Sequence, residues 1–489
     1  MVRPDALPGA NEIRERYRLD DAVAPPAFPP VWRTPFILSP FGDSTPPLGQ
    51  SYNQLVLADI TYAADWQGWG GASMLVDLCL IEDLICVSFF FRNMPDGTTQ
   101  WWWLCRASPG GPVVNSYGPF QTSLRVPNQA FLQSGGYDAQ WGGLWKAALR
   151  SGNHYVVPTE ASSPTFGSWF MVDPSSTAGS IPLRVANIGA DNALGLPILG
   201  AYFLALSSGR TMLDGAQVPD IGPALEPDRT LDAPAGYGNP LVTQKDLQTA
   251  MANPLCSCAC TATDIEALVP GLEATPNWPL PEWSNQVYID GTTIGESLLC
   301  YPTTVFYDDQ LANPSDPSEP GRQLSRFINF SAQGTGERGQ RQDEILYWAD
   351  GHAVQYRWDQ SRWDPYCKEA IPGIGYPRRN FPALSGSSVK GGIRGNADFG
   401  IGPGDTLYFV VSGPMPRPGT ASIFWWWFMQ DQTGVLFSEC ELATPPDHAL
   451  SIVDYGEFQR NATWIDEGFF PDPSANLPTC GNASEKAKW

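Results

Sequence analysis

The most unusual chemical motif of the chain is a run of three thiols at every second position, Cys256, Cys258 and Cys260. Thiolates bind soft metals, so three of them with a fourth ligand from elsewhere would form a metal site. Structural zinc sites, however, use cysteine pairs separated by two to four residues. The spacing therefore leaves a metal site as one interpretation and favours the other, in which these cysteines form disulfides or are simply buried.

Histidines and carboxylates form no catalytic pattern. The three histidines, His154, His352 and His448, stand in no serine, cysteine or zinc motif, which argues against a histidine triad or a zinc enzyme. A glycosidase needs two acids that face each other across a cleft, and spacing along the chain does not reveal such a pair. Adjacent acids such as Asp308 and Asp309 are equally typical of a calcium loop or a solvated surface. No cofactor is predicted.

Tryptophans in polar or glycine-rich stretches are the candidates for sugar binding. Most of the 19 tryptophans must be core residues, because each buries about 150–250 Å² when packed. Four of them are predicted to be more exposed, so that a ring could stack on a sugar: Trp66, Trp69, Trp358 and Trp363. Packing against the edge of a sheet is the commoner outcome for such residues.

Composition predicts an all-β fold. The chain has 48 Gly and 47 Pro in 489 residues and only 16% charged residues, which is typical of turn-rich β-proteins. A hydrophobic content of 43% excludes wholesale disorder. The net charge of −22 argues against a nucleic-acid partner, since phosphate contacts need Lys and Arg.

Two segments place three consecutive tryptophans behind a turn. One has strands at 406–411 and 423–429 around a turn at 413–419 that holds three prolines; the other surrounds residues 101–103. Side chains alternate along a strand, so the middle tryptophan faces away from its neighbours, and a strand loaded on both faces is normally covered on both. The recurrence predicts two related β-domains with the two hairpins as equivalent elements.

These signals predict two antiparallel β-sandwich domains, of jelly-roll or concanavalin-like type, with an extended N-terminal arm and a short helical connector. Strands are predicted at 55–62, 73–81, 143–150, 154–157, 168–172 and 201–206, and helices at 241–251 and 264–268. The predicted divisions are a Pro-rich arm at 1–50, domain 1 at 51–206, a Pro-rich connector at 207–284, domain 2 at 285–470 and a polar tail at 471–489.

No membrane span and no secretory signal are predicted. The first thirty residues lack an apolar core, and the most apolar stretch, 74–91, is interrupted by Asp77, Glu82 and Asp83. The compartment stays open, with a virion or a cell surface reached by a non-classical route among the possibilities.

Four short segments in the second half follow one another in a recognisable order: Ile-Asp-Gly at 289–291, an aromatic stretch at 347–358, Gly-Asp at 404–405 and Asn-Ala-Thr-Trp-Ile at 461–465. They resemble the glutamic peptidases (eqolisins), which implies a concanavalin-like β-sandwich and a Gln–Glu catalytic pair. Cys300 stands where the family has Gln, and Thr463 stands where it has Glu. Neither side chain can polarise a carbonyl and activate water in that way. The resemblance therefore implies the fold without the peptidase activity.

Together these features predict a non-catalytic structural subunit of a large assembly, of virion or surface-layer type, in an outer or accessory position. An extended arm gains most by lying on a neighbour, so the predicted partners are copies of itself or other assembly subunits. The alternative is a glycan-binding protein or glycan hydrolase that uses loop tryptophans and carboxylates.

Overall fold

The computed structural model is a chain of β-strands with few helices, and the predicted all-β class is confirmed for the residues it describes. These residues are 27–38, 56–81, 84–122, 126–129, 145–146, 155–158, 167–172, 181–188, 202–205, 210–231, 256–273, 286–295, 300–308, 322–329, 341–347, 352–359, 362–370, 388–394, 406–417, 420–430, 435–444 and 448–460.

Eleven strands form a first set that pairs in chain order. They are β1 (Val31–Leu38), β2 (Val56–Ala63), β3 (Ser73–Leu80), β4 (Ile85–Asn93), β5 (Thr99–Arg106), β6 (Val113–Thr122), β7 (Trp145–Lys146), β8 (Tyr155–Pro158), β9 (Gly167–Val172), β10 (Pro182–Ile188) and β11 (Tyr202–Ala205). Each strand pairs antiparallel with the next within β1–β6 and within β7–β11. The first strand, β1, also pairs antiparallel with the last, β11.

A second set repeats this connectivity. Its strands are β16 (Gln286–Gly295), β17 (Cys300–Asp308), β18 (Arg322–Asn329), β19 (Arg341–Tyr347), β20 (His352–Asp359), β21 (Arg362–Ala370), β22 (Ser388–Arg394), β23 (Thr406–Arg417), β24 (Thr420–Gln430), β25 (Val435–Thr444) and β26 (His448–Arg460). Six sequentially paired strands are followed by five, and β16 pairs antiparallel with β26. The two halves therefore share one strand order.

Local sequence supports this alignment of the halves. The last paired residues of the fourth and fifth strands are Asn93 and Thr99 in the first set and Tyr347 and Ala353 in the second. In both sets five residues separate them in sequence, with Asp-Gly at the third and fourth positions. The ninth strand carries Trp-Phe-Met in both sets, at 169–171 and at 427–429.

The predicted equivalence of the two triple-tryptophan hairpins is wrong. The first is formed by β4 and β5, the fourth and fifth strands of their set, whereas the second is formed by β23 and β24, the eighth and ninth. Three consecutive tryptophans in the second strand of a hairpin thus recur at two different places in the strand order. The similarity is therefore local, and the repeat is in the strand order.

Sequential pairing also differs from the order in a jelly roll, where Greek-key connections pair strands distant in sequence. Among the described residues, the distant pairs are those between the first and last strands of each set, a one-residue parallel bridge between Ile188 and Ala449, and the pairs made by short strands that lie between the two sets. In each set most strands pair with their neighbours in sequence, and the first strand also pairs with the last.

Residues 27–38 do not belong to an extended arm, contrary to the expectation for 1–50. They include β1, which pairs with β2 along its whole length and with β11 on its other side. Phe28, Trp32 and Phe36 are all buried. The remaining residues of the expected arm, 1–26 and 39–50, lie outside the described part of the chain.

The Pro-rich segment 413–419, predicted as a turn, mostly belongs to β23, which continues to Arg417. The register with β24 shifts between Ser412 and Met415 and again before Arg417. Prolines are tolerated in a strand where a bulge removes a ladder hydrogen bond. The bulges therefore explain how the strand passes through Pro414 and Pro416.

Short elements lie between the two sets. They are β12 (Thr211–Met212), two 3-10 turns at Gly215–Gln217 and Gly222–Leu225, β13 (Thr230–Leu231), β14 (Cys258–Ala259), α1 (Ala262–Leu268) and β15 (Leu272–Glu273). Helix α1 confirms the short helix predicted near 264–268, while the helix predicted at 241–251 lies outside the described residues. Strand β13 pairs parallel with β6, and β15 pairs antiparallel with β22.

The sheet formed by β1–β5 is buried on both faces. Trp101 and Trp103 belong to a larger hydrophobic cluster and Trp102 to a smaller one, as the predicted alternation requires. The smaller cluster includes Val218 and Ile221, so the segment after β12 covers this face. The three tryptophans of β5 are therefore core residues, because both faces of this strand are covered.

Replacing Gly71 with Ala is expected to destabilise the fold more than replacing Gly70 with Ala. Both glycines have a positive φ, of 79° and 72°, where a side chain costs about 1 kcal/mol. A Cβ at Gly71 would collide with the backbone carbonyl of Asn93, whereas one at Gly70 meets nothing within 4 Å. The collision adds about 1–3 kcal/mol. Urea unfolding of both variants measures the difference, and equal losses would contradict the close approach.

Candidate functional site

The structure gathers cysteines from the first sheet and from the C-x-C-x-C motif. Cys79 of β3 lies opposite Cys86 of β4, and Cys86 in turn lies opposite Cys258 of β14. Directly opposite residues of antiparallel strands project to the same face with Cβ atoms about 4.5–5.5 Å apart. Three cysteines therefore form a row across three neighbouring strands.

Two disulfides tie the motif to the sheet. Cys260 is bonded to Cys86, with a Cα–Cα distance of 5.9 Å, and Cys256 is bonded to Cys105. Cys105 and Cys256 both belong to the larger hydrophobic cluster. The motif is thus divided, with Cys256 in that cluster and the other two cysteines beside β4.

Cys79 and Cys258 are free thiols. The Sγ atom of Cys79 lies 2.7 Å from that of Cys260. Burial, with smaller contributions from Asp264 and Cys258, raises the pKa of the Cys79 thiol to about 12. Burial also raises the pKa of Cys258. Because the thiolate is the nucleophile, Cys79 is poorly reactive at neutral pH despite its position beside a disulfide.

The sulfur group differs from the predicted metal-ligand set of Cys256, Cys258 and Cys260. The Sγ atoms that lie within 4.8 Å of one another belong to Cys79, Cys86 and Cys260. Two strands of the sheet thus contribute sulfur atoms from residues that precede Cys260 by 181 and 174 positions in sequence.

A capped helix holds the motif in place. Thr261 is the N-cap of α1, and its hydroxyl and the carboxylate of Asp264 satisfy each other's backbone N–H groups. This capping box fixes the chain direction immediately after Cys260. The Cys260 N–H also donates to the Leu84 carbonyl at 2.7 Å.

A second polar group crosses the sheet beside the cysteines. Arg33 of β1 donates through Nε to both carboxylate oxygens of Asp59, at 2.9 and 3.0 Å. Asp59 lies opposite Asp77 of β3. Arg106 of β5 forms an ion pair with Asp77 at 3.1 Å and donates to the Ser88 hydroxyl at 2.9 Å. Two carboxylates are thus flanked by two guanidinium groups.

Burial raises the pKa of Asp59, and the hydrogen bonds from Arg33 partly offset this rise. The carboxylate is 8% exposed, whereas the Arg33 side chain is 49% exposed. Both carboxylates are bound by arginines or by Ser88, so this arrangement is a charge network of two groups, one joining β1 to β2 and the other joining β3, β4 and β5, and not an acid–base pair open to substrate.

The tryptophans proposed for sugar stacking are placed differently from expectation. Trp66 is fully buried, and its ring packs edge-on against Phe90 at 5.0 Å, so the predicted exposure is wrong for this residue. Trp69 is half-buried, with its ring edge-on to Phe90 and the Arg92 guanidinium 5.5 Å from its centroid. Gly-rich sequence around both residues reflects turn geometry, including positive φ angles, more than exposure.

Trp358 and Trp363 lie in strands and not in loops. They occupy opposite positions near the end of the β20–β21 pair. Their neighbours in sequence are polar, which resembles a loop, yet the backbone continues as a hairpin. Their role in sugar binding stays a prediction.

Of the two positions that carry the eqolisin comparison, the structure describes only Cys300. Cys300 begins β17 and lies opposite Ile294 of β16. Thr463 lies outside the described residues, as does His154. His352 begins β20 and His448 begins β26, two strands that do not pair with each other in the described part of the chain.

Sequence reasoning missed both the ligands from the sheet and the charge network. The period of two in the motif is the signal of an extended segment, and an extended segment can pair with a strand that also carries cysteines. Single charges inside otherwise apolar strands, such as Asp59 and Asp77, were the signal for the second group. Neither signal shows which distant residues the cysteines or the charged side chains contact.

Comparisons with known proteins give no family. No protein-family model and no curated protein matches the chain. MucB in complex with MucA(peri) matches at 11% identity over 68% of this chain and 82% of that one, with a TM-score of 0.16. A candidate AttH from Nitrosomonas europaea matches at 8% identity over 88% and 92%, with a TM-score of 0.14. Superpositions this poor establish neither fold nor function.

Among the described residues, no helix combines the length and apolar character that crossing a membrane requires.

Proposed function

We propose that the protein is a non-catalytic structural subunit of a large assembly, of virion or surface-layer type. The observation that supports this most is the use of the polar groups inside the first sheet. Arg33 binds Asp59 and Arg106 binds Asp77, each across neighbouring strands, and the two carboxylates lie opposite each other on β2 and β3. Charges arranged in this way hold strands together, and both of these carboxylates already have partners within the sheet.

Covalent attachment of the connector supports the same function. The disulfides Cys86–Cys260 and Cys105–Cys256 close loops of 174 and 151 residues. Cross-links over such distances in sequence restrict the unfolded chain strongly. A subunit that must persist in an assembly benefits from this restriction, whereas a mobile active-site loop would not.

We also propose how the strands are arranged in each half of the protein. Each set of eleven strands forms one β-domain in which two layers face each other, at about the predicted ranges 51–206 and 285–470 with β1 added to the first. The eqolisin resemblance contributes the sandwich expectation only, since Cys300 and Thr463 replace the catalytic Gln and Glu.

Residues 1–26 are the proposed contact with a neighbouring subunit. They precede β1 and include several prolines, which favour an extended chain. The acidic balance of the protein, with a net charge of −22, favours an outer or accessory position away from packaged nucleic acid.

Removing residues 1–26 is expected to dissociate a higher oligomer into smaller species. The deletion must end there, because Phe28 and Trp32 are buried and a longer deletion would remove β1. Light scattering after size exclusion measures the solution mass of the full chain and the variant. Deletion of the polar tail, 471–489, is the matched control and is expected to leave the mass unchanged.

Two results would overturn the proposal. A monodisperse monomer with and without residues 1–26, together with oligosaccharide binding at millimolar affinity or better, would favour the glycan-binding alternative. Release of reducing sugar from a polysaccharide panel would instead indicate a glycan hydrolase.

A further inference from the structure

Three cysteine sulfurs lie close together beside β3 and β4, and a fourth cysteine, Cys258, lies opposite one of them. Cys79, Cys86 and Cys258 occupy one row of β3, β4 and β14. Cys260 joins this row through its disulfide with Cys86 and through its contact with Cys79, at 2.7 Å between the Sγ atoms.

The sulfurs are close enough to become ligands of one metal ion once the disulfide is opened. The Sγ atoms of Cys79, Cys86 and Cys260 lie within 4.8 Å of one another. Four thiolates at about 2.3 Å from a zinc ion stand about 3.8 Å apart, so binding requires these three sulfurs to separate and the Cys258 side chain to turn towards them. Cys258 lies opposite Cys86 and is the remaining thiol in the row. Four sulfur ligands select zinc or iron–sulfur chemistry over hard cations.

We propose that, when the Cys86–Cys260 disulfide is reduced, Cys79, Cys86, Cys258 and Cys260 bind one Zn²⁺ ion. A thiol or phosphine reductant supplies the two electrons that open the S–S bond. The ion then displaces four protons from four thiols. In the reverse direction a two-electron oxidant, such as a peroxide, joins the thiolates of Cys86 and Cys260 and releases the ion.

The consequence is a cross-link that persists in two redox environments. In a reducing compartment the metal attaches the segment at 256–261 to β3 and β4. In an oxidising compartment the Cys86–Cys260 disulfide attaches the same segment to β4. The capping box of α1 holds this segment in one direction in both states.

Cobalt titration of the full-length protein tests the site directly. After reduction with a phosphine, the protein is expected to bind one equivalent of Co²⁺ with a thiolate-to-cobalt charge-transfer band that Zn²⁺ abolishes. Cys79→Ser and Cys258→Ser are each expected to weaken binding at least 10-fold. Neither residue takes part in a disulfide, so both variants keep the two native cross-links before reduction.

The double variant Cys105→Ser/Cys256→Ser is the matched control. Under reducing conditions it lacks two thiols that lie apart from the proposed ligands, and it is expected to bind cobalt as the wild type does. All variants keep the other cysteines at 300, 367, 440 and 480, so any background from these is common to all.

A measurement on the wild type alone completes the test. Peroxide added to the zinc-loaded protein is expected to release one equivalent of zinc while peptide mapping shows the Cys86–Cys260 disulfide forming. The proposal is overturned by absence of the charge-transfer band in the reduced wild type. Wild-type binding by Cys79→Ser, loss of binding in the double variant, or disulfide formation without zinc release would each overturn it as well.

Discussion

Replacing Arg33 with Met is expected to destabilise the protein by about 3 kcal/mol at pH 7 and by much less at pH 4. Removing one member of a buried ion pair leaves the other charge uncompensated, which costs about 3–5 kcal/mol when both members are buried. Here Asp59 is buried but Arg33 is 49% exposed, so solvent screening places the cost at the lower end of this range.

The sign of the pH dependence follows from Asp59. Its pKa is already raised by burial, and Arg33 is the partner that opposes this rise. Without Arg33 the folded-state pKa rises further, while that of the unfolded chain stays near about 3.9. A carboxyl group whose pKa is raised on folding contributes full stability below its unfolded pKa and loses it as pH rises through the folded value. The destabilisation caused by Arg33→Met therefore begins near pH 4 and increases at higher pH.

Arg92→Met is the matched control for this experiment. Arg92 is also partly buried, but its hydrogen bonds go to the backbone carbonyls of Trp69 and Gly70. Its removal is expected to cost about 1 kcal/mol with little change between pH 4 and pH 7. Urea unfolding at both pH values gives the four differences. A penalty for Arg33→Met that is equal at the two pH values would show that Asp59 is not ionised beside Arg33.

Most strands of the first set are predictable from sequence, because apolar runs bounded by Gly, Pro and Asn define them. The structure places β2 and β3 at 56–63 and 73–80, within a residue of the predicted ranges. Strand β1 is the exception. Ten prolines in residues 1–50 suggest an arm, yet Pro35 lies inside β1, opposite Asp59 of β2. A strand accepts proline where the missing N–H removes no ladder hydrogen bond.

Pairing between distant strands is the part that one sequence does not reveal. The repeat could be detected from the triple tryptophans only as a local similarity, and that similarity gave the wrong equivalence between β4–β5 and β23–β24. The correct equivalence depends on which strands pair first and last, β1 with β11 and β16 with β26. These contacts join residues far apart in the chain, and no local pattern specifies them.

The cysteine site shows the same limit. Cys79, Cys86 and Cys105 are close in sequence, and so are the three cysteines of the motif, but nothing local indicates that the two groups meet. The two groups come together because β14 pairs with the beginning of β4, which places Cys258 opposite Cys86. A group of cysteines could be predicted from residue type, whereas its members depend on the topology.

Replacing Trp66 with Ala is expected to cost about 3–5 kcal/mol in unfolding free energy, because truncation of a fully buried tryptophan leaves a large cavity. Trp66 is 0% exposed and packs in the smaller hydrophobic cluster with Phe90, Val218 and Ile221. The loss would include contacts between the first sheet and the segment that covers it, so this segment should become more open to proteolysis in the variant.

Trp69→Ala is the control that separates packing from sugar binding. Trp69 is half-buried and contacts Phe90 edge-on at 6.0 Å, so its truncation is expected to cost about 1–2 kcal/mol. Urea unfolding measures both losses, and glycan-array binding is measured on the folded variants. A loss for Trp66→Ala no larger than that for Trp69→Ala would contradict the burial of Trp66. If Trp69→Ala also abolished binding to an oligosaccharide while keeping its fold, Trp69 would be a sugar-stacking residue, and the structural-subunit proposal would give way to the glycan-binding one.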